Sequence, residues 1–220
     1  MVVFGSLPPA EQARQLANPE GQVSIEVAEW LNGNNRAGNA RVLDMLDVQA
    51  GHRVLEIGFG NGRAAPEVVG QAADVHYAGI DISPTMVDEA NRFNAALVAA
   101  GRASFRLASA ECMPCEDASF DRVFAIGVMH FWQDPRVPLR EIHRVMRPGG
   151  FAVMGALDSQ SPPPFARPEF GFYLRSAAEW IELWRQAGFG AVAAQRTESE
   201  QLAADGTPTN RYIIRLTARR

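Results

Sequence analysis

The chain has 220 residues, 47% hydrophobic and 21% charged, with a formal net charge of −4 at pH 7. That length supports one packed domain with a sizeable core, and the acidic balance gives no general affinity for nucleic acid or an anionic membrane. No run is long and apolar enough for a membrane span, and the first nine residues lack the basic and apolar regions of a signal peptide, so the simplest expectation is a cytoplasmic protein.

In chain order, residues 8–47 read as helical. Val23, Val27 and Trp30/Leu31 recur at helical spacing, as do Val42 and Leu46. Asn32-Gly33-Asn34-Asn35 should break the pattern, with Asn34 or Asn35 as an N-cap. Strand and helix signals then alternate. Residues 53–57 form a first strand that runs straight into Gly58-Phe59-Gly60-Asn61-Gly62, a loop whose glycines allow a tight turn and close approach of a ligand. A helix is expected over 63–70 and a second strand over 76–81, closed by Asp81. Ser83-Pro84 caps and opens the next helix, which should carry Met86, Ala90, Phe93 and Leu97 on one face and end at Gly101.

Further strands are expected at 103–107, 120–127 and 151–156, with a helix over 136–146 before the last. Residues 157–175 hold Ser161-Pro162-Pro163-Pro164 and are too Pro-rich for a central strand. Ser176 to Glu179 reads as a capping box before Trp180, Leu183 and Trp184. Residues 189–196 and 211–216 then form two runs with no helix-length insert, hence an antiparallel pair. Arg211, Arg215, Arg219 and Arg220 crowd this end and read as solvated ends of the last strand. Such alternation builds a doubly wound, mostly parallel α/β sheet with helices on both faces.

The acidic-x-Gly-x-Gly-x-Gly run at Glu56–Gly62 resembles the first motif of the class I S-adenosylmethionine-dependent methyltransferases. The resemblance continues through Gly79-Ile80-Asp81-Ile82-Ser83, Ala110-Glu111-Cys112-Met113-Pro114, Ser119-Phe120-Asp121 and Arg147-Pro148-Gly149-Gly150. It covers roughly residues 50 to 155 in the order of the family's small-molecule branch (methyltransferase type 11-like). A dinucleotide fingerprint instead wants its third glycine at the position of Arg63, which argues against the alternative enzyme, an NAD(P)-dependent oxidoreductase. A non-catalytic S-adenosylmethionine-binding protein is the other alternative, since fold does not fix function.

The resemblance implies a Rossmann-like sheet of seven strands with the last antiparallel, in a methyltransferase domain over 48–220. From the residues themselves, the helical segment 1–47, whose apolar positions need a surface to cover, reads as an N-terminal lid, and the aromatic, Pro-rich stretch 157–175 as a substrate-side insert. S-adenosyl-L-methionine is the implied cofactor. Glu56, Gly58, Gly60 and Gly62 would take its methionyl part, Asp81 its ribose hydroxyls, and Ile82 one face of the adenine. Ser109, Ala110 and Glu111 would sit at the adenine edge, where the family usually has an acidic residue in place of Ser109. Gly127 ends the fourth strand at the same sheet edge.

Four histidines compete for a catalytic role. His52 and His76 stand at the starts of strands and His143 lies in a helix, whereas His130 falls just beyond the carboxyl end of the fourth strand. At an ordinary pKa of about 6.5 it could act as a general base toward an attacking nucleophile. Trp30, Phe131, Trp132, Phe172 and Tyr173 are expected to wall a small-molecule acceptor, with Phe165 and Phe170 beside them. Cys112 and Cys115 form a C-x-x-C without the second pair that a zinc site needs, and read as incidental thiols; no metal is expected. The acceptor atom and the oligomeric state stay open.

Overall fold

The computed structural model describes residues 4–202 and 208–220. After a short 3-10 turn at Phe4–Ser6, three helices precede the sheet: α1 (Pro9–Ala17), α2 (Gly21–Asn34) and α3 (Arg36–Met45). The expected break at residues 32–35 narrows to Asn35 alone, because α2 tolerates Gly33 and stops only where Asn35 leaves helical geometry.

Alternation follows as read: β1 (Arg53–Ile57), α4 (Ala65–Gly70), β2 (His76–Asp81), α5 (Pro84–Phe93), α6 (Ala95–Ala99), β3 (Ala103–Leu107), β4 (Phe120–Ile126), α7 (Arg136–Val145) and β5 (Met146–Leu157). The chain ends with α8 (Ala177–Gln186), β6 (Gly190–Leu202) and β7 (Pro208–Arg219). The seven strands form one sheet in the order β3-β2-β1-β4-β5-β7-β6, with β7 antiparallel to both neighbours. The doubly wound α/β class is therefore borne out, as is the antiparallel close. The capping box at Ser176 and Glu179 forms in full.

The single helix expected from residue 84 to 100 is two. Asn94 interrupts it by turning its side chain inward, donating to the carbonyls of Gly62 and Ala90 at 3.0 and 2.9 Å. Met86 and Ala90 are buried as expected. Phe93 is not; it is 46% exposed and lies under the Arg63 guanidinium.

The sheet separates two apolar layers. One face packs on α7 and α8 through Leu139, Ile142, Trp180 and Trp184, and the other on α3, α4 and α5 through Val42, Leu46, Val68 and Met86. A third, smaller cluster joins Ala13 of α1 to Phe165 and Phe172 of the segment after β5. Burying apolar side chains on both faces is what holds a parallel sheet together. The strand ends are in register: Ile57 lies beside Ile80 and Ala125, Asp81 beside Leu107, and Ile126 beside Gly155. Strand order reverses between β1 and β4, so the carboxyl edge opens a crevice where α/β sheets bind ligands. No helix among the described residues is long and apolar enough to cross a membrane.

Candidate active site

The crevice is a cavity of about 940 Å³. Pockets for small molecules run from roughly 300 to 1,000 Å³, so this one has room for more than one. It has two arms.

The first arm lies over β1, β2 and β3. Gly58 and Gly60 adopt φ of +70° and +57°, a left-handed backbone that side chains disfavour. A Cβ on Gly60 would meet nothing within 4 Å, so the loop presents bare backbone to the cavity. Gly62 was expected in the same role, but it is not at the wall. A Cβ there would lie 2.7 Å from that of Ala90 and 2.9 Å from the Asn94 amide, so this glycine lets α5 pack on the loop.

Asp81 is 7% exposed. One carboxylate oxygen accepts the Gly60 N–H and the other the Ser83 N–H, each at 2.9 Å. The end of β2 is thereby tied to the glycine loop, and each oxygen keeps acceptor capacity toward the cavity. Burial raises its pKa, and the backbone N–H groups act against that rise. Glu56 is buried beneath the loop and accepts the Tyr77 hydroxyl at 2.5 Å. Burial pushes its pKa up to about 8, with Tyr77 pulling it down and Asp81 adding to the rise.

Ile82 is 49% exposed at the rim, where an apolar surface is left without a protein partner. Ser109, Ala110 and Glu111 line the wall opposite. The Ser109 hydroxyl accepts the Glu111 N–H at 3.1 Å and shapes that turn. Gly127, with φ +73°, closes β4 at the junction of the arms.

The second arm is apolar. Trp30, Phe131, Phe165, Phe172 and Leu157 line it, and Trp132 contributes while packing edge-on to Trp180 in the core. Tyr173 does not reach the wall. Its N–H donates to the His130 carbonyl at 2.7 Å.

His130, on the 3-10 turn Met129–Phe131, is 6% exposed at the wall. Its ring stacks on Phe172 at 5.3 Å, and its Nδ1 has no hydrogen-bond partner. Burial alone lowers its pKa to about 3. The expectation of an ordinary pKa therefore fails, because the aromatic packing that positions the ring also removes its water. At neutral pH His130 is an uncharged imidazole and a weak base.

Sequence reasoning missed several contacts that fasten the first helices to the site. Asn32 of α2 donates to Asn61 at 2.9 Å, and Asn61 donates to Glu29 at 3.2 Å, fastening α2 to the glycine loop; Glu29 also pairs with Arg63. Ser83 donates to the Pro19 carbonyl. Arg215 was expected to be solvated and is 4% exposed. Strand alternation explains the correction. Ile214, Leu216 and Ala218 fill the core on the α8 face, so Ile213 and Arg215 face the cavity. Arg219 is exposed as expected, Arg220 is partly buried, and the Arg211 side chain lies outside the described residues.

The donor set fits a nucleoside cofactor. A backbone cradle faces open space at Gly60, a carboxylate with spare lone pairs ends β2, and an apolar side chain is bare beside it. A family described as a methyltransferase domain matches residues 55–154, which contain all three.

By that match the chain is similar to methyltransferases.

Among its relatives, an O-methyltransferase, resE, from Aspergillus sclerotiorum is 33% identical over 179 residues, covering 78% of this chain and 65% of its own length. A 27-O-demethylrifamycin SV methyltransferase from Amycolatopsis mediterranei is 39% identical over 115 residues, covering 52% and 42%. The chain thus spans less than two thirds of these curated relatives. The fold matches phosphoethanolamine N-methyltransferase 2 of Haemonchus contortus, solved with S-adenosyl-L-methionine, at a TM-score of 0.73 and 19% identity, over 91% of this chain and 57% of that one.

Proposed function

We propose that the chain binds S-adenosylmethionine in the glycine-loop arm and transfers its methyl group by in-line displacement to a small-molecule acceptor in the aromatic arm. The observation that carries this reading is the continuity of the cavity from Gly60 and Asp81 to His130 and Phe172. Several curated relatives are named as O-methyltransferases, which favours an oxygen acceptor.

When bound, the cofactor supplies a methyl group already activated on a sulfonium, so the protein's work is positioning. The Gly58 and Gly60 backbone would hold the methionyl part, Asp81 the ribose, Ile82 the adenine face, and Ser109 to Glu111 the adenine edge. Glu56 orients the loop from below. Trp30, Phe131, Phe172 and Leu157 exclude water from the acceptor side. Well-oriented intramolecular reactions reach effective molarities of about 10⁵–10⁸ M, so placement alone is a large term.

His130 acts in this scheme as a neutral hydrogen-bond partner that orients the acceptor, not as a proton store, since an effective base needs a pKa near the working pH. The helices of residues 8–47 serve as a lid fastened through Glu29, Asn32 and Pro19. Closure of such elements keeps water from the reacting atoms.

Calorimetry with S-adenosylhomocysteine and with NAD, followed by incubation with methyl-labelled S-adenosylmethionine and a panel of phenols and hydroxy acids, tests the proposal. Binding of S-adenosylhomocysteine but not NAD, with label transferred, is the expected result. Tighter binding of NAD would favour an oxidoreductase, and cofactor binding without transfer to any acceptor would favour a non-catalytic role.

A further inference from the structure

Arg215 is a buried cation on the wall of the acceptor arm. It stands on β7, paired with Gly155 of β5 and Gln195 of β6, and its guanidinium lies against α3, where a Cβ on Gly38 would be 3.7 Å from Nη2. Nη1 donates to the Thr197 hydroxyl of β6. Nε has no hydrogen-bond partner, although the residue is 4% exposed. Among the described residues no carboxylate pairs with it; the charge acting on it is that of Arg41, another cation, and this together with burial lowers its pKa. Arg36 also lines the cavity and is cationic, and the carboxylates of the lining are Glu56, Glu67, Asp81 and Glu111, none of which pairs with Arg215.

An unpaired buried charge is destabilising, and a merely structural arginine would be expected to have a partner. Such a group is retained at a stability penalty where it serves a ligand. A guanidinium carries parallel N–H donors at a spacing that matches the two oxygens of a carboxylate. The neighbouring walls, Ile213, Leu157, Phe172 and Val42, call for an apolar body beside that charge.

We infer that the acceptor is an organic acid with an apolar body, and that Arg215 is the residue that docks its carboxylate. This rests on the methyltransferase reading above and adds the substrate class. Arg215 fixes orientation: with the carboxylate held at β7, the rest of the molecule extends along the aromatic wall toward His130 and Gly127.

The test uses the full chain loaded with S-adenosylhomocysteine, and three probes: 3-phenylpropionate, its amide, and phenyl phosphate. The acid should bind at least tenfold more tightly than the amide, and more tightly than the phosphate. Arg215→Met should bring acid and amide within about threefold of each other, while Arg215→Lys should keep part of the preference. The unligated Arg215→Met chain should melt at the same or a higher temperature than the parent, because a buried unpaired charge has been removed. Should that variant misfold, Arg215→Gln carries the comparison.

Equal binding of acid and amide to the parent chain, or binding of neither, overturns the inference. So does a preference that survives Arg215→Met, or tighter binding of the phosphate. Failure of S-adenosylhomocysteine to bind would strike the methyltransferase reading instead. The acid-to-amide ratio of the cofactor-free chain would then still report on Arg215.

Discussion

The two arms of the cavity are built from different materials. The cofactor arm is main chain and carboxylates: bare glycine backbone, Asp81 locked by two N–H donors, and Glu56 beneath it. The acceptor arm is aromatic side chains around two unpartnered nitrogens, His130 Nδ1 and Arg215 Nε. In the first arm the polar groups hold one another in place before any ligand arrives. In the second, buried polar atoms stand without partners. Such atoms are costly to leave so, and these two belong to residues that line the cavity, unlike the unpartnered indole nitrogens of Trp180 and Trp184 in the core. On the proposed reading, one arm is pre-organised for an invariant cofactor and the other takes its specificity from hydrogen bonds completed by the acceptor.

The sharpest way to break this comparison is at Gly60. Its φ of +57° and the open space beyond it mean that Gly60→Val strains the loop and fills the cradle without striking another part of the protein. Affinity for S-adenosylhomocysteine should fall more than a hundredfold while circular dichroism keeps the native spectrum. Unchanged affinity in a folded variant would remove the loop from the site.

Asp81→Ala should have the next largest effect. Two hydrogen bonds to a charged acceptor, discounted for replacement by water, are worth about 2–4 kcal/mol, so affinity should drop roughly ten- to a thousandfold by calorimetry. A loss below about threefold would leave Asp81 as a tie between β2 and the loop and nothing more.

The smallest effects are on stability against pH, and the two arms should give opposite signs. Glu56 has a folded pKa of about 8, above its unfolded value, so the native state binds the extra proton and its contribution is lost as pH rises from about 4.5 to 8. His130 has a folded pKa of about 3, below its unfolded value, so its contribution is present above about 6.5 and lost as pH falls toward 3. Each group can add a slope of up to about 1.4 kcal/mol per pH unit. Urea denaturation across pH 5 to 9 should show the alkaline decline flatten in Glu56→Gln and the acid decline flatten in His130→Asn. A parent-like curve for Glu56→Gln would mean that Glu56 stays ionised in the fold.

The same contrast explains what could be read before the fold was known. The cofactor arm was legible because its chemistry is local: a strand, a glycine turn and an acidic strand end occupy contiguous residues, and backbone geometry demands those residue types. Within it, only contacts between elements were hidden. Gly62 answers to Ala90 and Asn94, some thirty residues on, and no spacing rule announces that.

The acceptor arm draws on α1 to α3, the segment after β5, and β7, so its members are neighbours only after folding. Arg215 among Ile213, Ile214 and Leu216 resembles a solvated strand residue until the register shows which face is inward. Tyr173 and Phe172 are indistinguishable as aromatics in the sequence, and only the folded chain puts Phe172 on the wall and leaves Tyr173 off it. His130 was correctly placed at the strand end, while its basicity depends on Phe131 and Phe172 closing around it.

Hydrogen exchange with and without S-adenosylhomocysteine tests the central claim most directly, because it reports both arms in one experiment. Bound ligand should slow exchange at residues 56–63, 79–83 and 108–112, and across the helices at 21–45 proposed as a lid, while leaving β7 around Arg215 little changed until an acceptor is added. Protection confined to the aromatic arm, or absent from the glycine loop despite saturating ligand, would contradict the division of the cavity into a cofactor arm and an acceptor arm.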